Sequence, residues 1–345
     1  MAKYLVTGAS GFLARILTRQ LADAGHELVL VDLLDIADLP EGAKFLKVDL
    51  ADRASVQLVS KLGTFDAIFH LASQIDFGVR SQQELMTNNV ESTKSVAKIA
   101  RQSGCTNVVF TSSNSIYLGY PGSRPITESD APLPTDAYGR SKVACELVLR
   151  EYEDDFNSLV FRCPNILDSG RVGMLSIFFD FVLESRKCWL IGDGNVRYQC
   201  VFAPDVVDAM MRSLSLGRSD TFNIGSDDVP SIREMYQAVI DHAGTHARVA
   251  RLPRYPTVPV LRALNRVHLS PMGPYQFRMM TADFMFDCAH VKDSLGWRPT
   301  TNNSEMLIKA FDHYVANRDS LSELSDSANS SAVAQGILGI VRRLS

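Results

Sequence analysis

The sequence predicts a doubly wound α/β fold, a parallel sheet covered by helices on both faces, with a smaller α/β lobe interleaved into its second half. Three observations lead there. Short apolar runs alternate with stretches of helical spacing from Lys3 to Arg162, no hairpin turn separates them, and the first run ends in the glycine-rich turn TGASGFLA, Thr7 to Ala14. Strands that follow one another through helices lie parallel, and parallel strands buried on both faces are apolar at successive rather than alternate positions.

In order, Lys3 to Val6 is a strand stopped by Thr7-Gly8, and Leu13 to Ala24 has helical spacing. Leu28 to Val31 is apolar at every residue, as a doubly covered strand requires. A strand is expected over Lys44 to Val48, a helix from Arg53, a strand over Ala67 to His70 and a helix over Thr87 to Ser103. Asn107 to Thr111, Ala137 to Tyr152 and Ser158 to Arg162 continue the series as strand, helix and strand. Past Pro164 the rhythm changes: Ser169 to Tyr198 is mixed, with Gly192-Asp193-Gly194 marking a turn. TFNIG, Thr221 to Gly225, reads as a strand that returns to the main sheet. The expected division is 1–168 for the sheet domain with 221–226 returning to it, 169–318 for the interleaved lobe, and 319–345 for a linker and final helix. In that last segment Leu321 to Ala332 is rich in Ser, Asp and Asn, and Val333, Ile337, Ile340, Val341 and Leu344 share one helical face. Such a stripe docks on protein by the general rule, with peripheral membrane contact as the alternative.

Composition narrows the class. Of 345 residues 46% are hydrophobic and 21% charged, and the net charge of -4 comes without a basic block, which argues against nucleic acid as a partner. Cys105, Cys145, Cys163, Cys188, Cys200 and Cys288 show neither paired spacing nor CxxC, so neither disulfides nor a metal site is expected. No apolar run approaches the ~20 residues a membrane span needs. MAKYLVTGAS runs straight into a strand, leaving no room for a cleavable signal, and a cytoplasmic address is the expectation.

The turn between first strand and first helix is where a dinucleotide pyrophosphate binds: glycines let backbone N–H groups approach it, and the helix N-terminus adds a favourable dipole. Gly8, Ser10, Gly11, Phe12 and Leu13 are the candidate contacts there, with Ala14 in place of a frequent third glycine. Asp32 closes the second strand, where a carboxylate accepts both adenosine ribose hydroxyls and repels a 2′-phosphate; no arginine follows in DLLD. NAD is therefore expected rather than NADP. Asp49 either reaches the adenine or caps the helix at Arg53, with Leu50 beside it. Leu71, Ala72 and Ser73 leave space for the cofactor, and His70 before them is expected to be a packed residue without chemistry.

Tyr138 and Lys142 are i and i+4 on one helix, and an ammonium beside a phenol favours the phenolate, a base for an alcohol proton. Ser113 follows the strand VVFT at the carboxyl edge of the sheet, where its hydroxyl can hold the reacting oxygen. Both residues would be ordinary helix surface if alone; the serine and the dinucleotide turn change that weighting.

With these residues the chain resembles the extended short-chain dehydrogenase/reductase family, in its NAD-dependent nucleotide-sugar epimerase/dehydratase branch. The landmarks are TGASGFLA, Asp32, VDL, HLAS, NNVEST, FTSSNSIY, YGRSK, FRCPN and LGWRP, in the family's order from Thr7 to Pro299. The resemblance implies a Rossmann sheet, Ser113, Tyr138 and Lys142 as catalytic residues, and Asn89 as support for the lysine through backbone and water. It implies a nucleotide-sugar substrate met by Asn165 and, in GDGNVRYQ, by Arg197, although Arg197 lies one place early with Tyr198 in the usual slot. Arg162 is expected to be structural. A homodimer formed by helix pairing is the family's habit.

The family's epimerases oxidise a sugar hydroxyl and return the hydride to the other face; its dehydratases carry a carboxylate beside the serine or threonine. Here Asn114 and Ser115 stand in that place, which ranks epimerisation above dehydration. Asn114 hydrogen-bonds either to substrate or, as the first expectation, to a neighbouring loop. The apolar stripe after Arg251 and FMFDCAHVKDSLGWRP also look like 3β-hydroxysteroid dehydrogenase relatives, which would mean net oxidation or reduction of a bulky alcohol. A nucleotide-binding regulator without catalysis is disfavoured by the complete Ser113, Tyr138 and Lys142 set.

Overall fold

The structure, a computed structural model, describes the chain except 37, 76–80, 170–174, 256, 261–273 and 319–345, so the final helical stripe lies outside the described residues. The first half alternates as β1 (Lys3–Thr7), α1 (Phe12–Asp23), β2 (Glu27–Asp32), β3 (Lys44–Lys47), α2 (Arg53–Ser60), β4 (Ala67–His70), α3 (Gln82–Ser103), β5 (Asn107–Ser113), α4 (Ala137–Arg150) and β6 (Asn157–Cys163). β7 (Asn165–Leu167), α5 (Leu175–Leu183), β8 (Lys187–Ile191), β9 (Cys200–Phe202), α6 (Ala203–Ser213) and β10 (Asp220–Asn223) follow. The chain continues through α7 (Ile232–Ala243), β11 (Arg248–Leu252), α8 (Pro274–Thr281), α9 (Ala289–Leu295) and α10 (Asn303–Ala316).

Seven strands form one sheet in the order β10-β6-β5-β4-β1-β2-β3, and every pairing in it is parallel. β10 lies beside β6, with Thr221 opposite Val160. The strands feed both faces: Tyr4, Val6, Leu28 and Leu30 pack with α1 and α6 on one side, while Leu5, Val29 and Val31 pack with α2, α3 and α4 on the other. That division explains the unbroken apolar runs. α3 starts five residues before the expected Thr87, because the Ser81 side chain accepts from the Glu84 N–H at 3.0 Å and caps a polar first turn that has no apolar period to reveal it.

A third cluster joins α5, α7 and α10 through Phe178, Phe179, Met235, Val239, Leu307 and Phe311. Two small parallel pairs, β7 with β9 and β8 with β11, accompany it. Trp297 of LGWRP is fully buried and donates its indole N–H to the Asp205 carbonyl at 2.9 Å, tying the late chain to α6. Among the described residues no helix is long and apolar enough to cross a membrane.

Candidate active site

β1 delivers the turn. Gly8 has φ +69°, and a Cβ there would lie 2.6 Å from the Ala72 backbone, so the turn and the end of β4 touch without room for a side chain. Gly11 precedes α1 as its N-cap and its N–H donates to the Gly8 carbonyl at 3.0 Å. Asp32 fastens this turn to β2: one carboxylate oxygen accepts from the Ser10 N–H and hydroxyl, both at 2.9 Å, and the other from the Leu34 N–H at 2.9 Å. A carboxylate has about four acceptor positions. Asp32 thus has room for one further donor, not for both ribose hydroxyls as expected, unless Ser10 yields.

These groups face a cleft of about 270 Å³ at the carboxyl ends of the central strands. Gly8, Ser10, Gly11, Asp32, Asp49, Leu50, Leu71, Ala72, Ser73 and Asn89 all line it. Phe12 and Leu13 do not; their side chains pack into the core beneath α1, which leaves their backbone as the part that can meet a ligand. Asp49 accepts from the Ala51 N–H at 2.8 Å and stays in the wall, whereas the cap of α2 is Asp52, accepting from Ala54 N–H at 3.0 Å. The capping alternative for Asp49 is thereby corrected: Asp52 is one residue from the helix and Asp49 is too far back. Among the described lining residues there are carboxylates and no lysine or arginine, a wall that suits a ribose and opposes an extra phosphate. The glycine turn, the acid at the end of β2 and the uncharged remainder fit NAD.

Gln74, Asn88 and Ser92 also line the cleft and were not singled out by sequence. The Asn89 amide grips the Gln74 backbone from both sides, accepting from its N–H at 2.8 Å and donating to its carbonyl at 3.0 Å. Asn88 donates to the Gln74 side chain at 3.0 Å. The NNVEST motif was the available signal; that it serves the residue at position 74 was not.

The chemical end is built where α4 meets β5. Asp136 caps α4 by accepting from the Gly139 N–H at 2.6 Å. A Cβ on Gly139 would sit 2.4 Å from the Ser115 carbonyl oxygen, so the helix lies directly on the turn that follows Ser113. Ser113 is buried, and its hydroxyl oxygen accepts from the Ser115 N–H at 3.1 Å and lies 3.5 Å from the Asn114 side-chain oxygen. Lys142 is buried as well; its ammonium donates to the Thr111 carbonyl at 2.8 Å and lies 5.6 Å from the Tyr138 ring centroid and 4.7 Å from that of Phe110. The Asn89 amide reaches Ser141 at 3.0 Å, the neighbour of Lys142. Arg162 and Glu146 form a buried ion pair at 2.7 Å, with Arg162 also held by the Tyr117 hydroxyl and Glu146 by Ser112. This buried network fixes α4 against β5 and β6 beside Ser113, a registering role rather than a large net stabilisation.

The second lobe differs from the expectation in its particulars. The Asn114 amide donates to the Tyr275 hydroxyl at 3.3 Å, so its partner belongs to α8 and not to a neighbouring loop. Arg197 is engaged by Asp283, its guanidinium at 3.1 Å and its backbone N–H at 2.9 Å. Asn165 opens β7 opposite Cys200, away from the cleft lining. Arg278 of α8 donates to the Tyr120 carbonyl at 2.6 Å, while its buried Nη1 has no hydrogen-bond partner among the described residues.

The model of the NAD-dependent epimerase/dehydratase family matches residues 4–225, more than half of the chain. The chain belongs to this family. It is therefore an NAD-dependent enzyme of the extended short-chain dehydrogenase/reductase branch. It is 31% identical to the uncharacterized protein y4nG of Sinorhizobium fredii over 98% of this chain and 85% of that protein. It is 28% identical to a UDP-glucose 4-epimerase of Mycolicibacterium smegmatis over 90% of this chain and 97% of that one. A mouse dTDP-D-glucose 4,6-dehydratase is 25% identical over 69% of this chain and 72% of its own, so enzymes of more than one reaction are similar to it. The fold matches a Thermotoga maritima UDP-glucose 4-epimerase solved with UDP-glucose at a TM-score of 0.76, with 21% identity and coverage of 92% and 99% of the two chains.

Proposed function

We propose that this family member epimerises a nucleotide sugar through a transient ketone, with Ser113, Tyr138 and Lys142 as its working residues. The observation that carries the reading is the surroundings of Ser113: α4, which bears Tyr138 and the buried Lys142, lies on the turn that follows Ser113, and the two residues after the serine are Asn114 and Ser115. Elimination of water needs a proton donor beside the ketone, and neither side chain supplies one with carboxyl character. The similarity to a UDP-glucose 4-epimerase over nearly the full length of both chains supports the same choice.

The glycine turn at Gly8 and Gly11 and the carboxylate of Asp32 would hold NAD, which would supply the acceptor and the donor of hydride for the carbinol carbon. Tyr138 takes the hydroxyl proton as the C–H bond is broken and gives it back when the inverted alcohol forms. The Lys142 ammonium, held by the Thr111 carbonyl, stands 5.6 Å from the centre of the Tyr138 ring and attracts the negative charge that develops there when the tyrosine gives up its proton. The Ser113 hydroxyl donates to the sugar oxygen, for which it must release Asn114; at 3.5 Å that contact is at the limit of a hydrogen bond and is readily exchanged. Arg233 and Arg278 each have a buried guanidinium nitrogen with no hydrogen-bond partner among the described residues; Arg278, on the same helix as the Tyr275 that meets Asn114, is the one proposed to meet an anionic group of the substrate. Arg197 can serve only by sharing or leaving Asp283. The reading includes a homodimer in the cytoplasm, for which light scattering giving a monomer mass would remove the assembly.

The test is a panel of UDP-, GDP-, dTDP- and CDP-sugars offered to the NAD-loaded protein, with products separated by chromatography and nicotinamide absorbance recorded. Epimerisation gives an isomer of equal mass and no net absorbance change. Stoichiometric NADH would instead make the protein a dehydrogenase of the bulky-alcohol type, and loss of water would make it a dehydratase.

A further inference from the structure

We infer that His70 is a positioning residue, the centre of a one-way chain of hydrogen bonds that sets the spacing between the cofactor turn and the helix carrying Tyr138 and Lys142. His70 ends β4, where it is fully buried, opposite Thr7 of β1 on one side and Phe110 of β5 on the other. Its Nδ1 lies 2.8 Å from the Thr7 hydroxyl and its Nε2 3.0 Å from the Thr93 hydroxyl of α3.

The direction of each bond can be worked out from its neighbours. Thr93 has one proton, and it is directed to the Asn89 carbonyl at 2.8 Å. Thr93 must therefore accept from His70, which puts the ring proton on Nε2. A neutral ring then presents Nδ1 as an acceptor, and Thr7 donates to it. Thr7 in turn accepts from the Ala72 N–H at 3.4 Å, in the cofactor cleft wall that Gly8 touches. Asn89 carries the series onward: its carbonyl receives Thr93, and its side-chain amide donates to Ser141 at 3.0 Å, whose hydroxyl donates to the Tyr138 carbonyl at 2.8 Å. All links run the same way, from the Ala72 N–H to the backbone of Tyr138.

Each hydroxyl in this series both donates and accepts, so none is free to rotate, and the tautomer of His70 is imposed. The ring also stacks on Phe110 at 5.4 Å, and the Lys142 ammonium stands over Phe110. A second proton on His70 would face the Thr7 hydroxyl with a cation one ring away, so the neutral form is the one this environment accepts. His70 is fully buried and does not line the cleft; it acts through Thr7 and Ala72 on one side and through Thr93 and Asn89 on the other. The inference rests on the NAD site and not on the sugar reaction proposed above.

The experiment records histidine side-chain ¹⁵N shifts of the NAD-loaded protein, with the His70 signal assigned by its disappearance in His70→Gln. A protonated Nε2 with a bare Nδ1 at neutral pH is expected; an Nδ1–H tautomer or a doubly protonated ring would overturn the chain. Should His70→Gln fail to fold, Thr93→Val and Thr93→Ser supply the assignment and a second readout. Calorimetric titration should give roughly fivefold weaker NAD binding for Thr93→Val, the equivalent of one uncharged hydrogen bond, and near-native binding for Thr93→Ser. Unchanged NAD affinity in Thr93→Val, even with a lowered Tm, would reduce the series to ordinary core packing. Because no sugar enters either measurement, failure here leaves the proposed reaction standing, and failure of that reaction leaves this result readable.

Discussion

The NAD cleft and the second lobe are assembled by different means. In the cleft, position is set by backbone: a glycine turn pressed on Ala72, strand ends, and an acid that fastens the turn it serves. In the second lobe, long side chains from separate elements make the contacts, Arg197 to Asp283, Asn114 to Tyr275 and Arg278 to Tyr120. A site built from backbone tolerates little change, whereas a site built from side chains can be rebuilt residue by residue. The relatives fit this contrast, with NAD common to the family and the named nucleotides and reactions differing.

The contrast can be tested, beginning with the strongest expected effect. Tyr138→Phe should lower turnover by about 10²- to 10⁴-fold while NAD stays bound, the usual range for loss of a general base. Steady-state rates with cofactor content measured alongside check it, and retained activity would remove Tyr138 as the base. Gly8→Ala combines an unfavourable φ with a collision against Ala72 and should cost about 3 kcal/mol of stability along with NAD retention; a variant with native Tm and cofactor content would mean the cleft is less rigid than its contacts imply.

The pH dependence of stability probes the boundary between the two regions. Burial drives the His70 pKa down to about 3 from 6.5, with the Lys142 charge acting in the same direction. Between those values the unfolded state binds more protons than the folded one, so this group's contribution is present above pH 6.5 and is lost on acidification towards 3. The slope attributable to His70 is about 1.4 kcal/mol per pH unit. Urea unfolding across this window, compared between the native protein and His70→Gln, should show the variant with the shallower dependence; parallel curves would place the acid sensitivity elsewhere.

The mildest effect belongs to the second lobe. Arg278→Ala should raise KM about fivefold with kcat little changed, the behaviour of a binding contact that is equal in ground and transition states. Arg197→Ala should raise it less, since Asp283 already holds that guanidinium. The reverse order would make Arg197 the main anion contact.

The same division governs what could be read from sequence. Apolar runs and the glycine turn identified the sheet and the cleft because those signals are local: Asp32 and Gly8 lie within one βαβ unit, and their places in the cleft wall follow from distance along the chain. The start of α3 was missed because its first turn is polar and is declared only by the Ser81 cap. Tyr275 and Arg278 were out of reach for another reason. Their partners, Asn114 and Tyr120, lie more than 150 positions earlier, and nothing in the local pattern of α8 specifies which strand end it will face. Asp283 was invisible for the same cause, so the engagement of Arg197 was not foreseen. Of the two readings of Asp49, adenine contact or cap of α2, the second is removed because Asp52, three positions later, is the cap.

The position of β10 bears on how the chain is made. β6 has β5 on one flank and waits for residues 220–223 on the other, while the intervening polypeptide leaves the sheet to begin the second lobe. A nascent chain emerging from the ribosome therefore carries an open, sticky β6 border until the segment after α6 arrives. A polypeptide stopped at 168 would keep that border permanently, and self-association through it is the expected fate of such a fragment.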